Sequence, residues 1–230
     1  MQNKSPETLV VGALATNCYV YPLEPVPDTL LCPCIVIDPG ADADVIITRL
    51  NKLHWYPRYI LLTHGHFDHL AALPALLAHY DGKPEVAIHE ADAAYLGPRA
   101  REVHRQSFIA GAGNSAYVDA LWEDMPEATR LLVEGDCIGP LRVLHLPGHS
   151  PGSASFHDEA AELLFSGDTL FRDGFGRVDL PGSNAQALGA SLKRLCIGDN
   201  SGSIKETTCV YSGHGAATTI GEEKSRYRWV

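Results

Sequence analysis

Residues 63–69, THGHFDH, carry three histidines and an aspartate within six positions: His64, His66, Asp68 and His69. Imidazole nitrogens and carboxylate oxygens are what zinc, manganese or iron accept, and no soft thiolate accompanies them. Three more residues of the same chemistry follow at a distance. His149 sits in Pro147-Gly148-His149 after the apolar run RVLHL, Asp168 in Gly167-Asp168 after ELLFS, and His214 in Gly213-His214-Gly215 after CVYS. Each stands where a strand-like run ends beside glycine, where backbone freedom lets a side chain be aimed inward. Taken singly, these are ordinary residues: turn histidines, or an aspartate capping a helix. His54, His79, His89, His104, His145 and His157 are read in that ordinary way. Seven candidate ligands exceed what one tetrahedral ion uses, and they divide into two groups of three with one carboxylate left to bridge. Two divalent ions about 3.5–4 Å apart would hold a bridging hydroxide and polarise a carbonyl, making a nucleophile near neutral pH without serine or cysteine.

The elements that must position this set alternate between strand and helix. TLVVG, NCYVY and CIVID read as early strands rich in β-branched and aromatic residues, the last stopped by Pro39-Gly40. Residues 43–53 place Val45, Ile46, Leu50 and Leu53 at helical spacing. YILL at 59–62 is a short apolar run suited to a strand covered on both faces. His64 and His66 share a side if the chain stays extended, and Asp68 and His69 fall at a helix start, where a negative charge is favoured. Leu70, Leu73, Leu77 and Tyr80 predict that helix, with Pro74 tolerated in its first turns. VAIH at 86–89 reads as a strand and 90–96 as a short helix. Residues 97–130 mix Gly, Pro, Arg, Ser and Asn with aromatics at poor periodicity, which predicts an inserted loop with some helix at the pocket mouth. Strands return from LRVLHLPGHS onward; NAQALGASLKRLC predicts a helix, CVYSGHG a strand, and a final helix begins near Thr219. Mixed strands and helices of this kind predict an α/β fold of two sheets with helices outside.

The 230 residues suit a single domain, 1–230. The net charge of −10 argues against a nucleic-acid backbone as partner, and Arg99, Arg101 and Arg105 read as a solvated face. No apolar run spans a membrane and no secretory leader is read at the N-terminus, so a cytoplasmic location is expected. The six cysteines then read as structural thiols in a reducing compartment. The sequence is silent on oligomeric state.

THGHFDH at 63–69, HLPGHSPGS at 145–153, LFSGDTLF at 164–171 and YSGHG at 211–215 resemble the metallo-β-lactamase superfamily, in the right order and over nearly the whole chain. That resemblance implies an αββα sandwich, two mixed sheets with helices on both outer faces and the metals at one sheet edge. It assigns His64, His66 and His149 to one metal and Asp68, His69 and His214 to the other, with Asp168 bridging. LFSGDTLFRDGFGRVDLPGS is similar to the glyoxalase II-like hydrolases, in a compact form expected to lack their extra helical domain, since only sixteen residues follow His214. Ala71-Ala72 stand where relatives often carry glycines.

The expected cofactor is a pair of divalent metal ions, zinc first, iron or manganese otherwise. The expected reaction is hydrolysis of a small-molecule thioester or similar acyl bond, with Asp68 orienting the hydroxide as well as ligating. Gly176-Arg177-Val178-Asp179 also resembles the persulfide dioxygenases, whose single iron would here match His64, His149 and Asp168. That oxidoreductase is the alternative, and a non-catalytic metal-binding protein is a third reading. True zinc β-lactamases fit less well, because an acid stands at Asp168. Arg177 is a candidate substrate-binding residue, or one half of a loop-pinning ion pair with Asp179. Asn17 and Tyr19 resemble an Asn-x-Tyr found in relatives, with core packing as their ordinary role and bracing of the site as the functional one.

Overall fold

The structure, a computed structural model, describes residues 5–24, 31–198 and 202–226. Strands β1 (Glu7–Val11), β2 (Thr16–Pro22), β3 (Cys32–Ile37), β4 (Trp55–Leu61), β5 (Glu85–His89) and β6 (Arg130–Leu132) form one six-stranded sheet in that order. Its first three strands pair antiparallel, and β3 to β6 run parallel. The second sheet contains β7 (Cys137–Ile138), β8 (Leu141–His145), β9 (Ala154–Asp158) and β10 (Leu163–Gly167). A small hairpin of β11 (Leu170–Phe171) and β12 (Gly174–Phe175) follows β10, and β13 (Cys209–Ser212) and β14 (Thr218–Thr219) complete the second sheet. The β10–β13 pair is parallel within this otherwise antiparallel sheet.

Strand alternation builds a core in three layers. On β2 and β3, Cys18, Val20, Cys34 and Val36 point outward, where Ile46 and Leu50 of helix α1 (Ala43–Leu53) and Leu73 and Leu76 of α2 (Leu73–His79) cover them. Their neighbours Tyr19, Tyr21, Ile35 and Ile37 point inward against Val143, Phe156 and Phe165 of the second sheet. The far face of that sheet is covered by Leu188, Leu192 and Leu195, a helical stripe on the later helix at 185–197. The result is the expected αββα sandwich of two mixed sheets between helices. No helix among the described residues is long and apolar enough to cross a membrane.

Strand β4 begins at Trp55, four residues earlier than YILL predicted. Pro57 hid this, since proline cannot donate to a ladder. The pairing with β3 skips a residue there, Cys34 facing Pro57 and Ile35 facing Tyr59, so a bulge accommodates the missing N–H. The helix expected from Leu70 starts only at Leu73; Asp68 and His69 instead lie in a single 3₁₀ turn, Phe67–His69. Residues 90–95 are likewise 3₁₀.

Within 97–130 the structure places two helices, α3 (Ala100–Ala112) and α4 (Ala116–Leu121). Helices α5 (Ala185–Ile197) and α6 (Ile220–Arg226) complete the set. The buried residues of α3 are Ala100, His104 and Ser107, so its core face carries too little hydrophobicity to show a period. It is fastened instead by aromatics: Phe67, fully buried, stacks on Trp122 and meets His104, Phe108 and Tyr117. Phe67 is thus both a metal-loop residue and the floor of the α3–α4 segment. Phe67→Ala is expected to cost about 3–5 kcal/mol, roughly 10 °C in Tm for a chain of this size. Thermal denaturation checks this; Phe67→Leu should lose less than half as much.

Candidate metal centre

All seven predicted residues converge at one edge of the two sheets. His64 and His66 lie just beyond the end of β4, and Asp68 and His69 in the 3₁₀ turn after them. His149 follows β8, Asp168 follows β10, and His214 follows β13. His64, His66 and His149 offer ligand atoms within 4.8 Å of one another, as do Asp68, His69 and His214. Asp168 lies between the groups: Oδ1 is 3.4 Å from His69 Nε2, and Oδ2 is 3.5 Å from His149 Nε2 and 3.6 Å from His214 Nε2.

The donor set fits a metal better than it fits itself. His64 Nε2, His69 Nε2 and Asp168 Oδ1 are buried with no hydrogen-bond partner in the protein, a costly condition unless a cation takes their lone pairs. His66 Nδ1 and His149 Nε2 are 2.8 Å apart, pointed at a shared position. Asp38, His64 and His69 form a third close group. Asp38, however, already accepts from Thr63 N and Thr63 Oγ1 and meets His69 Nδ1 at 3.0 Å, so it supports ligands rather than completing a site.

That support shell fixes ring orientation. Asp38 on His69 Nδ1 and the Arg177 carbonyl on His149 Nδ1 turn both Nε2 atoms toward the centre. Thr63 Oγ1, held by Asp38, lies 3.1 Å from His64 Nδ1 and does the same there. Asp92, fully buried, accepts from Gly65 N on one side and from Gly152 N and Ser150 Oγ on the other. It ties the His64–His66 loop to the His149 loop. Asn17 donates its side-chain amide to Ser212 O and Gly215 O, and Tyr19 donates its hydroxyl to Ser212 O, so both brace the His214 loop. Tyr19 also packs on Phe165 and Tyr211, which combines the two roles foreseen for it. Close approach demands glycine at Gly213, where a Cβ would come within 2.2 Å of Asp168 Oδ1.

Burial and mutual proximity keep His64 and His66 neutral, their pKa values pushed well below the ordinary imidazole range. Burial also works against a charged His69, but Asp168, Asp68 and Asp38 outweigh it and lift its pKa to about 10 in the metal-free protein. Burial would raise Asp68, yet His69 and His214 beside it hold it below the carboxylate range. The helix-start charge expected to favour Asp68 is replaced by these histidines and by Thr16 Oγ1, which donates to Asp68 Oδ2 at 3.2 Å.

A cavity of about 510 Å³ opens onto Asp68, His66, His149, Asp168 and His214. Arg177 lines it, with Nε and one terminal nitrogen donating to Asp179 at 2.6 and 2.8 Å. Arg101 and Arg105 form no basic site: Arg101 is exposed, Arg105 half-buried, and both face Asp119. Sequence reasoning missed Asp38, Thr63 and Asp92. Asp38 had a usable signal, an acid ending the strand CIVID before Pro-Gly, as Asp168 ends its own.

A family model described as the metallo-beta-lactamase superfamily matches residues 29–214. Hydroxyacylglutathione hydrolase GloC of Haemophilus influenzae is 33% identical over 82% of this chain and 83% of its own. A crystal structure of BLEG-1, a B3 metallo-beta-lactamase, superposes with a TM-score of 0.78 at 32% identity, covering 96% of this chain and 97% of that one. TTHA1623, solved in a di-iron-bound form, gives 0.76 at 33% identity over 97% and 100%. GloC and BLEG-1 carry different activities at nearly equal identity, so identity does not choose the substrate. The chain belongs to the metallo-β-lactamase superfamily.

Two outcomes are expected. Asp38→Ala frees the His69 ring and lowers metal affinity about 10–100-fold, read by competition with a chelator. In metal-free protein, the raised His69 pKa contributes stability that is complete below about pH 6.5 and lost as pH rises through about 10. The Tm of chelated protein should therefore fall between pH 7 and 10, while that of metal-loaded protein, with no second proton on His69 Nε2 to lose, stays flat over the same window.

Proposed function

We propose that this member of the metallo-β-lactamase superfamily is a hydrolase of small-molecule thioesters or similar acyl compounds. It would hold one divalent cation among His64, His66 and His149 and a second among Asp68, His69 and His214. The observation that carries the binuclear reading is Asp168, whose two oxygens face His69 on one side and His149 and His214 on the other. Zinc suits this nitrogen and oxygen set first, and iron or manganese is compatible with it. Similarity to TTHA1623 in its di-iron form supports two metals, and similarity to GloC supports an acylated thiol as substrate.

Bound cations would supply a water nucleophile at neutral pH and polarise the acyl carbonyl. The chain's own residues supply position and charge. Asp68 reaches the cavity while Thr16 Oγ1 fixes its carboxylate, so it can accept a hydrogen bond from the attacking water and hold a lone pair toward the carbonyl carbon. Buried, neutral His64 and His66 each keep one imidazole lone pair free for a cation. A thiolate leaves without much protonation, so the absence of a further acid among the described cavity residues is no obstacle to this substrate class.

Elemental analysis of protein purified without added metal is expected to show two divalent ions per chain, with metal-dependent thioester turnover. Asp168→Ala should lose metal and at least about 100-fold in kcat, more than an outer-shell change costs. Full activity in that variant would sink the binuclear scheme. A single iron per chain, with oxygen uptake on a persulfide, would establish the dioxygenase instead.

A further inference from the structure

The cavity in front of the metal centre has one apolar wall. Phe108 and Ala112 of α3 line it together with Leu180, Phe171, Phe175 and Leu14. Helix α3 packs tightly on this wall, since a Cβ on Gly111 would come within 2.6 Å of Leu180 Cδ2. Apart from the candidate ligands, the single charged residue lining the cavity among those described is Arg177. An arginine in a pocket ordinarily anchors a carboxylate or phosphate through its planar fork. Here one edge of that fork is already held by Asp179, which offsets its charge, with Nε to Oδ1 at 2.6 Å and a terminal nitrogen to Oδ2 at 2.8 Å. Two residues apart on one loop, the pair is locally preset. Its backbone is fixed as well, since the Arg177 carbonyl meets His149 Nδ1.

Resting on the hydrolase reading, we propose that Asp179 cancels Arg177 as an anion anchor, so that the pocket selects an uncharged, apolar acyl chain rather than one ending in an acid. A substrate anion would meet a guanidinium whose charge Asp179 already offsets and whose Nε edge it already holds, while a hydrocarbon chain meets Phe108, Ala112, Leu180 and Phe171 without desolvating any charge. Arg177 then contributes its stem as part of the apolar wall and its carbonyl as the support of His149. Asp179 is a specificity-determining residue that touches no reacting atom.

The test uses non-hydrolysable thioethers of N-acetylcysteamine bound to the metal-loaded protein and followed by calorimetry, which separates it from turnover. One probe carries an S-hexyl chain. The other carries a 6-sulfohexyl chain, whose sulfonate is a poor metal ligand but a good partner for arginine. Wild type is expected to bind the hexyl probe at least about tenfold more tightly. Asp179→Asn should improve sulfohexyl binding about three- to fivefold, the scale of an exposed ion pair, and leave hexyl binding unchanged. Leu180→Ser should weaken the hexyl probe. Equal or tighter sulfohexyl binding in wild type, or no change in it on Asp179→Asn, overturns the proposal. If the hexyl preference holds but no thioester is hydrolysed, the hydrolase reading fails while the apolar, anion-rejecting pocket stands.

Discussion

Five imidazoles and two carboxylates meet at one edge of the sandwich with their lone pairs turned toward each other rather than toward donors. His66 Nδ1 and His149 Nε2 approach to 2.8 Å, and His64 Nε2, His69 Nε2 and Asp168 Oδ1 lie buried without a partner. Such an arrangement is unfavourable on its own, and the surrounding structure is organised to hold it in place. Asp38 and Thr63 pin two rings from one sheet, the Arg177 carbonyl pins a third, and Asp92 ties the loops that carry His64, His66 and His149. These supports follow the ends of β3, β4, β5 and β12. The sandwich brings those ends together because both sheets bury their inner faces against one another.

The ligand set was legible because its members follow apolar runs and sit beside glycine or in one dense cluster. Those are local signals, readable within a few residues. Asp92 offers none: its partners Gly65 and Gly152 lie 27 and 60 positions away, and in sequence it is one acid in an ordinary helical stretch. Strand β4 was legible only from Tyr59, where the apolar run starts; its first half contains Pro57, which a bulge opposite Cys34 absorbs. Helix α3 was obscured for a different reason. Its inner face includes His104, buried and donating from Nε2 to the Tyr95 carbonyl, and Ser107, so hydrophobic periodicity fails where the helix is nonetheless well packed. The layered fold was readable because α1, α2 and α5 cover the sheets with aliphatic stripes, which is the pattern periodicity detects.

The α3–α4 segment and the metal loop share one residue. Phe67 lies between His66 and Asp68 in sequence and beneath Trp122, Phe108 and Tyr117 in space. Packing of the segment therefore bears on the backbone that presents two candidate ligands, and the segment's other face lines the cavity through Phe108, Gly111 and Ala112. Tyr95 extends the connection, its ring against His66 and its carbonyl bonded to His104. A change of side chains in this segment can alter the pocket while the ring-orienting hydrogen bonds remain, because Asp38, Thr63 and Asp92 lie outside it.

Electrostatics connects the two halves of the site's chemistry. Asp38, Asp68 and Asp168 surround His69, and in low dielectric such a group of carboxylates demands positive charge nearby. In metal-free protein a proton on His69, with a raised His214 pKa beside it, meets that demand. A cation meets it better, because it also takes the lone pairs that a proton on a single ring leaves unpaired at His64 and Asp168. Protons and metal thus compete for the same atoms, and the carboxylates that make the histidine basic are the ones that favour its metal. Asp179 stands apart from this exchange: it is exposed, outside the buried set, and its charge is offset by Arg177 at the cavity wall.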